Sequence, residues 1–429
     1  MASNPRGGDS TRRFAADGLL MIGANGTAAL LYLLVHVALG RRLPGVDYAV
    51  LVSLLGLLNI LGIGAAALQT TLARYIALAA QDDGDDGGLW LAVTRRALRR
   101  AGLWALPAAG LWCLATPWLR DALGAPSAWA LVLLGATAAL QLFQPLVQGS
   151  LQGLRRFGAL AGSSMAGAAT RLLAAVTVVY LGGGVTAALW AFVLGALVAL
   201  AVACWPLRNA LRGAESPGTP DFDSGPIYRY LGLALVGQAA LYGLMNADLV
   251  LAPRLLQGET LAAYSKAAML ARTVVFLPLP LVIAMFPRAV VSGRRRILAG
   301  TMAAAAALAA VPATLVALWP GVFLAWMYGA VEPQAPALLR QYVWAMLPLL
   351  LVEVAVPYLW ARRQPWAVVA LVLPMLLYAS ALTRLPDRPE AMIQGVAAAG
   401  TLFLLWLLAA AWRGRRGAPD LLSSQQFLR

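Results

Sequence analysis

The sequence is poor in the side chains that do most chemistry. Among its 429 residues there is one histidine, His36, one lysine, Lys266, and two cysteines, Cys113 and Cys204. A lone histidine excludes a histidine-based metal cluster, and no Ser/His/Asp or Cys/His set is available because His36 stands alone in the first apolar run. Both cysteines fall inside apolar runs, so no disulfide framework follows. There is no G-x-x-x-x-G-K-[ST] loop, and the single lysine follows Ser265 in an apolar stretch, which excludes ATP hydrolysis by this chain. Charge is scarce as well. Only 12% of residues are charged, against roughly 25% in soluble domains.

What fills the sequence is hydrocarbon, at 61% hydrophobic residues. Apolar runs long enough to span a bilayer recur at 15–39, 47–74, 102–119, 128–150, 158–181, 185–206, 228–252, 261–287, 297–319, 339–361, 366–385 and 390–412. In lipid every backbone polar group needs an internal partner, so these runs predict helices. The fold class expected is an all-α polytopic membrane protein of about 12 transmembrane helices. The first run is too long for a cleavable signal peptide, and "HVALGRR" offers no small-residue cleavage site.

The net charge of +15 is dispersed among short loops, which argues against nucleic acid as a partner. Alternate loops differ: one side holds Arg95–Arg96, Arg99–Arg100, Arg155–Arg156, Arg294–Arg296 and Arg362–Arg363, and both tails. The other side holds far fewer arginines, among them Arg41, Arg42, Arg120 and Arg254. The arginine-rich side is expected to be cytoplasmic, with both termini there. "LWLAVTRRALRR" (89–100) has an apolar and a basic face and reads as a helix along the membrane surface. "DDGDDGG" (82–88) reads as a solvated loop.

The longest interruption, "RNALRGAESPGTPDFDSGP", lies near the midpoint. It predicts residues 1–13 as a cytoplasmic tail, a first six-helix half over 14–207, a linker over 208–227, a second half over 228–412 and a tail over 413–429. A weak repeat, "GVDYAVLVSLL" against "LAAYSKAAMLA", opens the second helix of each half, and internal repeats are a common transporter design.

Several polar residues lie at membrane depth. Arg171 is the only charged residue between Gly158 and Leu181, about 15 Å from either end at ~1.5 Å rise per residue, and an arginine at that depth should face protein or water. Gly167 and Ala175, one turn either side, let another helix approach it. Exposure to an aqueous cavity or a buried pair with Glu353 would each account for it. Gln141, Gln144, Gln148 and Gln152 share a face, next to Pro145; that stripe suits either a cavity lining or helix–helix hydrogen bonds. Lys266 and Arg272 lie inside helix 8. A salt bridge to Asp248 accounts for Lys266 about as well as a ligand does. Asp248 and Glu353 are the carboxylates clearly within spans, candidates for ion coupling or salt bridges. No cofactor or metal is called for.

Three stretches carry a resemblance. "GRRLPGVDYAVLVSLLGLLNILGIGAAALQTTLARYIA", then "VQGSLQGLRRFGALAG" with "ATRLLAAV", then "NADLVLAPRLL" with "AAYSKAAMLARTVVFLPLPLVIAMFPR" are similar, in that order, to polysaccharide flippases of the MOP superfamily, relatives of the multidrug MATE exporters. The likeness covers roughly 14–412. It implies two six-helix lobes around a central cavity open alternately to each side of a bacterial inner membrane. It also implies a substrate of polyprenyl-pyrophosphate-linked oligosaccharide, moved from the inner to the outer leaflet for cell-surface polysaccharide assembly. Arg171, Lys266 and Arg272 would then bind the pyrophosphate, and Gln141, Gln144 and Gln148 the sugars. Partners implied are membrane lipids and polysaccharide polymerase or glycosyltransferase machinery. A MATE-like cation or drug antiporter, an integral-membrane cell-envelope enzyme and a transport-silent scaffold remain as alternatives; the antiporter would want a carboxylate deep in the first lobe.

Overall fold

The computed structural model describes residues 6–62, 64–65, 68–69, 71–73, 75–76, 88–208, 225–273, 285, 295–362, 364–384 and 388–413. The acidic loop 82–88, Arg74, Arg288, most of the linker and the ends of both tails lie outside them, except Gly88, which opens a helix. Among the described residues every regular element is a helix. Eight helices among the described residues are long and apolar enough to cross a membrane, and Gly45–Leu61 and Trp366–Leu382 are shorter apolar stretches. The expected span 261–287 is described only as far as Thr273 and at Met285.

The chain forms two compact units. The first contains residues 1–39, 65–119 and 126–222, the second 40–64, 120–125 and 223–429. The two short exchanges do not match the expected halves. Residues 40–64 and 120–125 lie in the sequence of the first half and pack with the second.

The first unit is built from most of α1 (Arg6–Arg42), α3 (Gly88–Leu123), α4 (Ala128–Gly153), α5 (Phe157–Tyr180) and α6 (Val185–Cys204). The stretch expected to lie on the membrane surface, 89–100, instead forms the first turns of α3 and continues without a break through Pro107 and Pro117 into the expected span. Trp104, Leu106, Leu114 and Trp118 on it are exposed, as side chains facing lipid are. The helices of this unit meet where side chains are small. A Cβ on Gly167 of α5 would lie 2.9 Å from the Gly195 carbonyl of α6, and one on Gly195 would lie 2.8 Å from the Gly167 carbonyl. Gly149 and Gly153 of α4, four apart, bring its backbone against Gln69 and Ala73 in the same way. Without a hydrophobic driving force between helices in lipid, such contacts hold them by close packing.

The second unit holds α2 (Gly45–Leu61), α7 (Gly225–Leu255), α8 (Gly258–Arg272), α9 (Arg295–Leu318), α10 (Pro320–Tyr328), α11 (Ala335–Ala361), the short α12 (Pro365–Val369), α13 (Val372–Leu382) and α14 (Pro389–Arg413). α2 packs on α7 and α8, which is why it leaves its own half. Tyr48 to Leu55 are buried there, Gly56 approaches Val250, and Ser53 Oγ donates to the Val250 carbonyl at 3.3 Å. The two segments that repeat in sequence are therefore packed together. α8 is buried from Leu261 to Ala268, and α11 packs with α8, α9 and α14.

Candidate functional site

Arg171 lies in the middle of α5, half-buried, with its guanidinium 5.1 Å from the Phe192 ring centre and 5.7 Å from that of Tyr32. Gly195 makes room for it, since a Cβ there would meet Arg171 Cβ at 3.0 Å and Nε at 3.3 Å. The Nε atom is buried without a hydrogen-bond partner among the described residues. Tyr32 in turn meets His36 edge to face, with ring centres 4.9 Å apart. The charge is thus held by aromatic faces, a cation–π arrangement. Its own unit supplies no counter-charge in the described side chains: over residues 18–39, 65–76 and 88–207 the one acidic residue is Asp121, which belongs to the second unit. Glu353 belongs to the second unit too.

The glutamine stripe divides. Gln148 is buried; its Nε2 donates to Ser163 Oγ at 3.1 Å, and that hydroxyl donates to the Ala199 carbonyl at 2.9 Å. Gln152 Oε1 accepts from Gln69 Nε2 at 3.2 Å. These two bonds join helices, and Gln148 engages one of its amide hydrogens in them. Gln141 and Gln144, further along α4, are half-buried.

In the second unit the expected cations are both paired. Asp248 of α7 is fully buried, and Arg272 Nη2 of α8 donates to its Oδ1 at 2.6 Å. Tyr264 donates to Oδ2 at 2.7 Å, and Tyr342 of α11 donates to the same oxygen. Arg272 Nε and Nη2 also reach the Met245 carbonyl, at 3.2 and 3.0 Å. The partner of Asp248 is therefore Arg272, in place of Lys266. The Lys266 Nζ lies 2.7 Å from Glu332 Oε1 and 3.1 Å from the Ala330 carbonyl. Gly329, at φ +76°, turns the chain just before that carbonyl. Tyr328 lies beneath the lysine, with its ring centre 5.6 Å from Nζ and its hydroxyl 3.3 Å from that of Tyr48. Arg41 donates to the Trp326 carbonyl on the same helix, α10.

Glu353 sits mid-way along α11, half-buried, with Tyr242 of α7 as an electrostatic neighbour. The α7–α11 register agrees, since Gly237 lies against Trp360 and Asp248 against Tyr342. Pro357 has no N–H, so the Glu353 backbone carbonyl lacks its intrahelical donor.

Sequence reading missed Tyr32, Phe192, Tyr264, Tyr342 and Glu332. The tyrosines carry no signal at membrane depth that separates them from ordinary aromatics, and Glu332 stands in a loop 66 residues from its lysine. Among the described residues no three of His, Cys, Asp and Glu gather to hold a metal ion.

No protein-family model matches the chain, and no curated protein does. Solved structures do. One is an inward-facing multidrug resistance MATE family transporter of the MOP superfamily, 13% identical, with a TM-score of 0.69 over 90% of this chain and 94% of that one. Another is the lipid II flippase MurJ in an inward closed conformation, 10% identical, with a TM-score of 0.65 over 91% and 87%. A third is a MOP superfamily transporter from Pyrococcus furiosus, 14% identical, with a TM-score of 0.56 over 92% and 95%. Its binding pocket is described as reversed in polarity, suggesting a different function. The fold is the 12-helix MATE-like fold of a multi-pass membrane protein.

Proposed function

We propose that this chain is a membrane exporter that moves an anionic, polyprenyl-pyrophosphate-linked oligosaccharide from the inner to the outer leaflet. The observation that carries the reading is Arg171. It is held at membrane depth by Tyr32 and Phe192, in a unit whose described side chains offer no carboxylate. An arginine so placed needs a counter-anion, and its guanidinium matches phosphate oxygens bidentately. The flippase among the structural neighbours and the one with a reversed-polarity pocket support the direction of the argument.

Within this reading the first-unit contacts to substrate are Arg171, Gln141 and Gln144. Lys266 and Arg272 act through their ion pairs, as positioning residues of the second unit. Glu353, which has no ion pair among the described residues, is the group best suited to carry a coupling proton or cation. A MATE-like exporter of cations would want a carboxylate where this unit has Arg171, and the composition of the first unit disfavours it.

The test is native mass spectrometry of the detergent-purified chain and its Arg171→Ala variant, each offered a polyprenyl-pyrophosphate lipid. Retention by the wild type and loss in the variant is the expected result. Equal retention by both removes Arg171 from the site, and no retention by either, with the lipid in excess, sinks the lipid-linked substrate.

A further inference from the structure

Arg171 and Arg272, both at membrane depth, are held in opposite ways. Arg272 spends its donors: Nε and Nη2 go to the Met245 carbonyl, and Nη2 also goes to Asp248. Arg171 is held by ring faces instead, Phe192 of α6 at 5.1 Å and Tyr32 of α1 at 5.7 Å, and its buried Nε has no hydrogen-bond partner among the described residues. A guanidinium carries its N–H groups in its own plane and meets aromatic rings with its faces. Rings therefore hold the charge and leave the fork of donors unspent, whereas a carboxylate would consume it.

The clamp follows from spacing and from one missing side chain. Tyr32 and His36 lie one turn apart on α1, so they share a face. Their rings meet edge to face, with centres 4.9 Å apart and planes at 71°. That contact restrains the tyrosine ring. Phe192 is buried on α6, three residues before Gly195, where a Cβ would crowd Arg171 Cβ and Nε. All of these residues belong to the first unit. An arginine left to swing would lose affinity to its own ordering, about five- to tenfold for one long side chain.

We infer that Tyr32 is the positioning residue of the Arg171 site, and that it acts through the face of its ring and not through its hydroxyl. The ring sets the guanidinium plane so that two N–H groups meet two oxygens of one phosphoryl group together. Rings meet the faces and the anion meets the edge, so the two do not compete for the same atoms. This role rests on Arg171 being the anion contact proposed for the substrate. It brings α1 into the site through an uncharged residue.

The experiment titrates a polyprenyl-pyrophosphate lipid onto the purified full chain, read by native mass spectrometry. Position 32 carries tyrosine, phenylalanine, or phenylalanine with one, two or three ring fluorines. Each fluorine withdraws negative charge from the ring face and leaves size and packing almost unchanged, so a merely structural ring would give a flat series. Tyr32→Phe is expected to bind within about twofold of the wild type. Affinity is then expected to fall stepwise, to about tenfold weaker at three fluorines, with Tyr32→Leu at least as weak. The fluorinated chains are expected to melt together, which keeps the test independent of folding.

A flat fluorine series overturns the inference. So does a rise in affinity along it, which would mean that the ring competes with the anion. A loss in Tyr32→Phe as large as in Tyr32→Leu overturns it in favour of a direct hydroxyl contact. Arg171→Ala separates this role from the reading beneath it. Loss of lipid in that variant beside a flat series leaves the anion site standing without Tyr32. If the wild type binds no lipid in excess, the lipid-linked substrate fails, and inorganic pyrophosphate carries the same series in its place. Binding of neither probe overturns both.

Discussion

Lys266 Nζ and Glu332 Oε1 lie 2.7 Å apart, and the lysine that holds the pair together is the only one in the chain. The pair joins α8 to the loop after α10, and a Cβ on Gly45, at the start of α2, would come within 2.7 Å of the same carboxylate oxygen. Removing the lysine leaves a mostly buried carboxylate without its cation. Lys266→Ala is therefore expected to destabilise by about 3 kcal/mol, the lower end for a broken buried pair. The double variant Lys266→Ala/Glu332→Ala should recover part of that loss. Thermal melts in detergent measure both, and an unchanged melt of the single variant would show that the pair has no structural weight.

Asp248 accepts from Arg272, Tyr264 and Tyr342. Asp248→Ala strands a buried guanidinium and two buried hydroxyls, so the expected loss is about 3–5 kcal/mol. Removing both charges by Asp248→Asn/Arg272→Met should be milder than the single alanine. A double variant that melts lower than Asp248→Ala would refute the ion-pair account.

The divided glutamine stripe gives opposite expectations along one helix face. Gln148→Leu breaks the bond to Ser163 and should lower stability by about 1–2 kcal/mol. Gln141→Leu and Gln144→Leu should leave the melt within about 0.5 kcal/mol, as substitutions away from such bonds do, and reduce export instead. A transport assay beside the melts separates the two classes.

Gly195→Ala places a methyl group 2.8 Å from the Gly167 carbonyl and 3.0 Å from Arg171 Cβ. Overpacking of this kind costs about 1–3 kcal/mol. It should also displace Arg171 from Phe192, so retention of a pyrophosphate lipid should fall with the melting temperature. Full lipid retention in a destabilised variant would mean that the position of Arg171 is not set by α6.

At Arg155, between α4 and α5, the backbone is left-handed, at φ +54°, a conformation that costs an L-residue about 1–2 kcal/mol. Arg155→Gly should relieve part of it and raise the melting temperature. A lower melt would show that the arginine side chain offsets its own strain.

Where the sequence spoke clearly, it spoke through hydrocarbon and size. Long apolar runs announce helices, and Gly167 beside Arg171 announces a helix crossing, which α6 supplies with Gly195. Periodicity also placed four glutamines on one face. It had no means of telling which amides would find a hydroxyl or amide on a neighbouring helix. Ion-pair choice was hidden for the same reason. Asp248 was an equally good expectation for Lys266 until α7 and α8 were set side by side, which gave the aspartate to Arg272 and left the lysine to Glu332. The departure of α2 from its half was illegible, because an all-apolar helix carries no mark of the partner that buries it.

That departure fixes an order of events during synthesis. α2 leaves the ribosome roughly 160 residues ahead of α7 and α8, a delay on the order of ten seconds at the usual rates of elongation. Until then Tyr48 and Leu51, which end fully buried, lack the later-made helices that cover them. The early-made helix must wait in the bilayer for late-made ones, so the amino-terminal half of this chain cannot mature alone. A gene split at the linker would yield a fragment whose second helix has nowhere to go until the other fragment arrives.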